Sequence, residues 1–126
     1  MSFSNYLETK VLDHVFGGTA YTAPSTLYLA LFTTDSSESA TGTEVSGGAY
    51  ARQTVTFTTS GATTSNDADV EFPTATASYG TVVAVAVMDA LTGGNMLAYA
   101  GLSTDKTIET GDVFRVPSGD LDITLD

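Results

Sequence analysis

His14 is the sole imidazole in a chain that carries fifteen Asp and Glu residues, four Lys and Arg residues and no cysteine. A hydrolytic triad needs a base within reach of an activated hydroxyl or thiol, and no Gly-x-Ser-x-Gly elbow or other nucleophile motif accompanies His14. The residue is therefore read as a surface or interface histidine. Paired carboxylates are the other route to hydrolysis, since two suitably spaced acids cleave a glycosidic bond. Most acids here fall in polar loops or alternate outward on strands, and the chain has no tryptophan to serve as a sugar platform. It is not expected to be an enzyme.

Calcium would find oxygen ligands in Asn66-Asp67-Ala68-Asp69 and in Gly119-Asp120-Leu121-Asp122. Neither segment follows the helix–loop–helix ligand spacing, so both are read as solubilising turn acids, and no metal is expected. Gly17-Gly18 and Gly47-Gly48 lack the Lys and the strand–glycine–helix setting of a phosphate loop. They are read as turns, and no cofactor is expected. Arg52 and Arg115 each lie inside an expected strand, where a long cationic side chain lays its stem over apolar surface and pairs with a neighbouring acid. Both are expected to be ion-paired, within the fold or across an interface.

The elements that must position these groups follow from composition and spacing. At 126 residues the chain is long enough for one core. Without cysteine, its stability comes from packing and hydrogen bonding. A net charge of −11, with cations only at Lys10, Arg52, Lys106 and Arg115, disfavours nucleic acid and anionic membranes as partners. The start, Met1-Ser2-Phe3-Ser4, lacks the features of a signal peptide, and the longest apolar run, Val82 to Met88, is too short to span a bilayer. A protein made in the cytoplasm is expected.

Leu7, Val11 and Val15 recur four apart, with Leu12 and Phe16 widening the stripe, which predicts a helix over Asn5 to Phe16. Ser4 or Asn5 caps its start, and Gly17-Gly18 ends it. From Pro24 the texture changes to short Val-, Thr-, Tyr- and Phe-rich runs between turn residues. Strands are expected near Thr26 to Thr33, Tyr50 to Thr58, Ala68 to Phe72, Thr81 to Asp89, Met96 to Leu102, Val113 to Val116 and Leu121 to Leu125, with a weaker one near Lys106 to Glu109. The fold class is thus all-β: one domain over 1–126, with a helical segment over 1–18 and a two-sheet sandwich or jelly roll of about eight strands over 24–126.

Thr81 to Met88 and Leu27 to Phe32 are apolar on both faces, so they are expected either at the centre of a sheet or beneath another chain. Two loops stand out. Asp35 to Gly48 is long and polar, and is expected to be mobile or held only by a neighbour. Leu91-Thr92-Gly93-Gly94-Asn95 has the composition of a tight hairpin turn.

Several of these segments resemble a family of small tailed-bacteriophage virion proteins, comprising tail fibre and head decoration proteins. They are Tyr6 to Phe16, Leu27-Tyr-Leu-Ala-Leu-Phe-Thr-Thr-Asp35, Glu44-Val-Ser-Gly-Gly-Ala-Tyr-Ala-Arg-Gln53, Val70 to Tyr79, Asp89 to Asn95 and Gly111-Asp-Val-Phe-Arg-Val-Pro117. The resemblance runs the length of the chain and implies a virion structural protein. The first reading is a capsid decoration, or cement, protein that forms a dimer or trimer on the outside of a phage head and stabilises it through contacts with the major capsid protein or other virion proteins. In that reading Phe3, Tyr6, Leu7 and Val11 carry part of the contact, with Arg52 and Arg115 as further interface residues. The alternative is a tail fibre or baseplate component that meets the host surface through Asp35 to Gly48 and Leu91 to Asn95.

Overall fold

The computed structural model describes residues 1–125. Strand β1 (Ser2–Phe3) leads directly into helix α1 (Asn5–Val15). Ser4 is the N-cap: its hydroxyl accepts from Leu7 N–H at 3.2 Å and donates to the Met96 carbonyl, so one side chain starts the helix and fastens it to the sheet. The helix ends at Phe16, where the following Gly18 takes φ +74°.

Nine further strands follow: β2 (Leu27–Phe32), β3 (Gln53–Val55), β4 (Phe57–Ser60), β5 (Thr63–Asn66), β6 (Val70–Glu71), β7 (Gly80–Met88), β8 (Met96–Ile108), β9 (Arg115–Val116) and β10 (Asp122–Thr124). They form an antiparallel five-stranded sheet in the order β1-β8-β7-β2-β3, a three-stranded sheet β10-β5-β4 and a pair β6-β9. The all-β expectation holds. There are three sheets, one large and two small, and their buried side chains share one core.

The doubly apolar strands lie at the centre, as one of their two expected settings required. β7 and β2 are flanked on both sides, with Leu29 against Val87 and Leu31 against Val85 in register. On that face Leu29, Leu31, Val85 and Val87 pack against Phe72, Phe114 and Leu121 from the smaller sheets and their loops. On the opposite face, Ala30, Phe32, Ala84, Ala86, Met88 and Met96 form a second, thinner apolar layer.

Three strand expectations change. Tyr50 to Thr58 divides at Thr56, whose carbonyl accepts from Asp67 N–H at 3.1 Å. β3 therefore stays in the main sheet, while β4 crosses to the small one. Met96 to Leu102 and Lys106 to Glu109 fuse into β8. A register shift opposite Val82 and Ala84 lets the polar Ser103-Thr104-Asp105 bulge outward. β5 was not anticipated because Thr63-Thr64-Ser65-Asn66 has no apolar residue. It forms because both of its edges are paired.

The long loop is hydrogen-bonded to its own chain, so it is not held only by a neighbour. Thr33 N–H donates to the Thr43 carbonyl at 2.8 Å, Val45 N–H to Leu31 at 3.0 Å, and Asn5 N–H to Glu38 at 2.8 Å. Val45 is buried within the core.

Candidate binding surfaces

Glu44, Tyr50 and Arg52 form one connected polar cluster. Tyr50 is held in place by ring stacking on Phe72, with centroids 6.0 Å apart, and by an edge contact with Tyr79 at 5.8 Å. Its hydroxyl accepts from Leu31 N–H at 3.1 Å and donates to Glu44 Oε2 at 2.6 Å. Arg52 meets the same carboxylate at two points, Nε to Oε2 at 2.9 Å and NH2 to Oε1 at 2.8 Å. Its remaining terminal nitrogen donates to the carbonyls of Ala90 and Gly93, each at 2.8 Å.

The electrostatics follow from that geometry. Burial opposes the charge on Glu44, but the hydrogen bonds from Arg52 and Tyr50 outweigh it and hold the carboxyl below its ordinary pKa. Burial first, and then the bond to Glu44, push the Tyr50 phenol well above its usual range. The bond to Glu44 also raises the Arg52 pKa. The cluster has its polar atoms directed at one another and at neighbouring backbone. It acts as a brace.

What the brace positions is the β7–β8 turn. Gly93 and Gly94 take φ +62° and +74°, and Asn95 N–H donates to Asp89 Oδ1 at 2.7 Å. A Cβ at Gly94 would stand 2.5 Å from that same carboxylate oxygen, so the turn admits only glycine there. Beside it, a shallow cavity of about 400 Å³ is lined by Glu44, Val45, Tyr50, Arg52, Leu91 and Thr92. The two loops singled out from sequence as contact elements thus meet at one place, through Arg52.

The helix supplies a second surface. Tyr6 and Leu7 pack against the main core. Tyr6 also meets Tyr21 edge-on at 6.5 Å and lies under the Lys10 ammonium at 5.6 Å. Val11 is half-buried, and beyond it the stripe leaves the protein: Leu12 is 58% exposed, Val15 60% and Phe16 81%. At the other end of the helix, Phe3 and Leu7 border an open apolar groove of about 400 Å³, closed by Leu27, Phe57, Ile123 and Leu125 and by the Thr-rich β4–β5 hairpin. Sequence reasoning named Phe3 and Leu7 but missed the groove, because its far wall comes from β5 and the chain's last strand.

The remaining candidates are placed as follows. Arg115 NH1 pairs with Asp69 at 3.0 Å, both half-exposed, so it is ion-paired within the chain, as Arg52 is. His14 is exposed, and its Nδ1 accepts from Tyr21 N–H at 3.0 Å. Asp67 accepts from Thr56 and Thr58, which lower its pKa, and Asp69 also accepts from Ser118 N–H at 2.8 Å. Among the described residues no group of three or more His, Asp or Glu side chains is arranged to hold a metal ion. No helix there is long and apolar enough to cross a membrane.

No curated protein matches this sequence. A family model, however, covers it almost from end to end: residues 2–124 match Podophage GP4 fiber I protein gp80. The span takes in the helix, the groove, the Arg52 brace and the turn it holds, and with it the resemblance seen in the sequence becomes an assignment: the chain belongs to this phage fibre family and is a virion structural protein.

Proposed function

We propose that this chain is a tail fibre or baseplate component of a tailed phage, working by protein–protein and host-surface contact and catalysing no reaction. The match of residues 2–124 to a fibre protein family carries this reading and favours it over head decoration. The structure supports it through the turn at Asp89 to Asn95. A recognition loop fixed in advance loses little conformational freedom on binding, and the Arg52 brace supplies that fixity. The apolar helix end and groove then serve the other requirement of a fibre subunit, attachment to neighbouring virion proteins. A net charge of −11 suits a position outside the DNA-filled head and gives no basis for binding nucleic acid or an anionic membrane.

Weak contacts suffice in such a setting, because symmetry-related copies engage together and avidity multiplies them. Copy number and position test the proposal. Quantitative mass spectrometry of purified virions should return a few tens of copies or fewer, on the order expected of a low-symmetry appendage. Gold-labelled antibody should mark the tail. Hundreds of copies spread over the head would overturn the fibre reading and restore decoration.

A further inference from the structure

We infer that the exposed helix end of one copy, Leu12, Val15 and Phe16, seats in the apolar groove bordered by Phe3, Leu7, Phe57 and Leu125 of a second copy. Knob and hole belong to the same chain but cannot meet within it. Leu7 lies in the groove wall, and Phe16 stands nine residues further along a continuous helix, about 14 Å away at the helical rise. A straight helix cannot return its own end to its own beginning. Only another molecule can bring the two together.

Charge singles out the same surface. Two copies each carrying −11 repel, so they can approach closely only where carboxylates are missing. The groove is such a place, since none of the residues lining it is charged. Charge depletion at the centre of a patch is the compositional mark of an interface core. The groove's volume of about 400 Å³ matches its proposed occupant, because three apolar side chains of roughly 100 Å³ each, at the interior packing density of about 0.74, would occupy it.

Area is consistent with a real but modest contact. Leu12, Val15 and Phe16 together expose on the order of 300 Å² of apolar surface, the size of the largest patch on an ordinary monomer. Each copy in a reciprocal pair would bury both its helix end and its groove. That amounts to on the order of 400 Å² per partner, the small-interface class of weak, transient contacts. If the contact is not reciprocal, the same knob and hole link copies head to tail, into a ring where the rotation closes and an open filament where it does not. The inference does not depend on whether the chain sits on head or tail.

Because the natural chain has no cysteine, cross-linking gives a clean test. Two single variants are made, Phe16→Cys and Ala62→Cys, the latter on the groove rim. Under mild oxidation, a mixture of the two should give a reducible mixed dimer in at least about fivefold excess over either homodimer. In parallel, sedimentation of the natural protein should show association in the micromolar range, tightening as salt rises from about 50 to 500 mM because the repulsion is screened. Phe16→Asp and Ala62→Asp should each weaken it by at least about 100-fold. Both positions are exposed, so circular dichroism should report an unchanged fold. A monomer at about 200 μM, association that survives both Asp variants, or no excess of the mixed cross-link would overturn the inference.

Discussion

Arg52 and Glu44 form a two-point ion pair across eight positions of chain, with the arginine side chain only 7% exposed and the glutamate 27%. A buried pair of this kind contributes little over an apolar replacement, yet breaking it from one side is costly because the other charge is left stranded. Here the cost is compounded. The guanidinium also satisfies Ala90 and Gly93, so the pair and the turn form one unit.

Arg52→Ala is therefore expected to destabilise the protein by about 3 kcal/mol, which for a domain of this size lowers Tm by roughly 10 °C. Arg52→Lys should recover less than half of that, because an ammonium cannot make the two-point contact and reach the turn together. Differential scanning calorimetry checks the stability. Amide exchange at Thr92 to Asn95 checks the turn, which should open in both variants even at temperatures where the core stays protected.

The Glu44 carboxyl has a lower pKa in the folded protein than in the unfolded chain. A group depressed on folding contributes stability that is fully present above its unfolded pKa and is lost as pH falls through the folded one. Urea midpoints of the natural protein should accordingly fall between about pH 5 and pH 3. Glu44→Gln should start lower at pH 7 and decline less over that window. Parallel curves for the two proteins would show that Glu44 does not contribute to the acid transition.

How far the sequence discloses this arrangement depends on the physical range of each signal. Period-two and period-four patterns are local, and they placed α1, β2 and β7 closely, because the core dictates those residues one by one. Ion pairing of Arg52 was also legible from a long cation inside a strand among many acids. Its partner was not, since Glu44 reaches it only because the loop folds back on β2 through Thr43 and Val45. β5 was invisible for the opposite reason: four polar residues carry no periodic signal, and their strand character comes wholly from β4 and β10. The groove was hidden likewise, because its walls come from chain segments about a hundred residues apart.

Ser4 joins helix to sheet through one hydroxyl, which is 2% exposed as a residue. Ser4→Ala removes the N-cap and strands the Met96 carbonyl, and should cost about 1–2 kcal/mol. Ser4→Thr keeps both bonds and should cost less than Ala. The diagnostic readout is local: amides at Leu7 and Glu8 should exchange faster in Ser4→Ala, while those of β7 remain unchanged. Uniform acceleration across the chain would show that the helix start is no separate unit.

Asn66 makes the sharpest contrast with Glu44. Its amide nitrogen donates to Ala68 and Pro117, each at 3.0 Å, and its oxygen accepts from Leu121 N–H at 2.8 Å, all with the residue 1% exposed. Asn66→Ala leaves three backbone groups short of a partner and should cost about 3 kcal/mol. Asn66→Asp keeps the acceptor but aims a carboxylate at two carbonyl oxygens in a buried place, and both burial and those oxygens raise its pKa. A group whose carboxyl pKa is raised on folding destabilises most above that pKa. Relief comes as pH falls and the new hydroxyl donates to one of the carbonyls. The difference in urea midpoint between the natural protein and Asn66→Asp should therefore shrink from pH 8 towards pH 5, opposite in sign to the effect at Glu44. A gap that stays constant or widens on acidification would mean the variant has admitted water to the site, in place of holding a dry, mispaired acid.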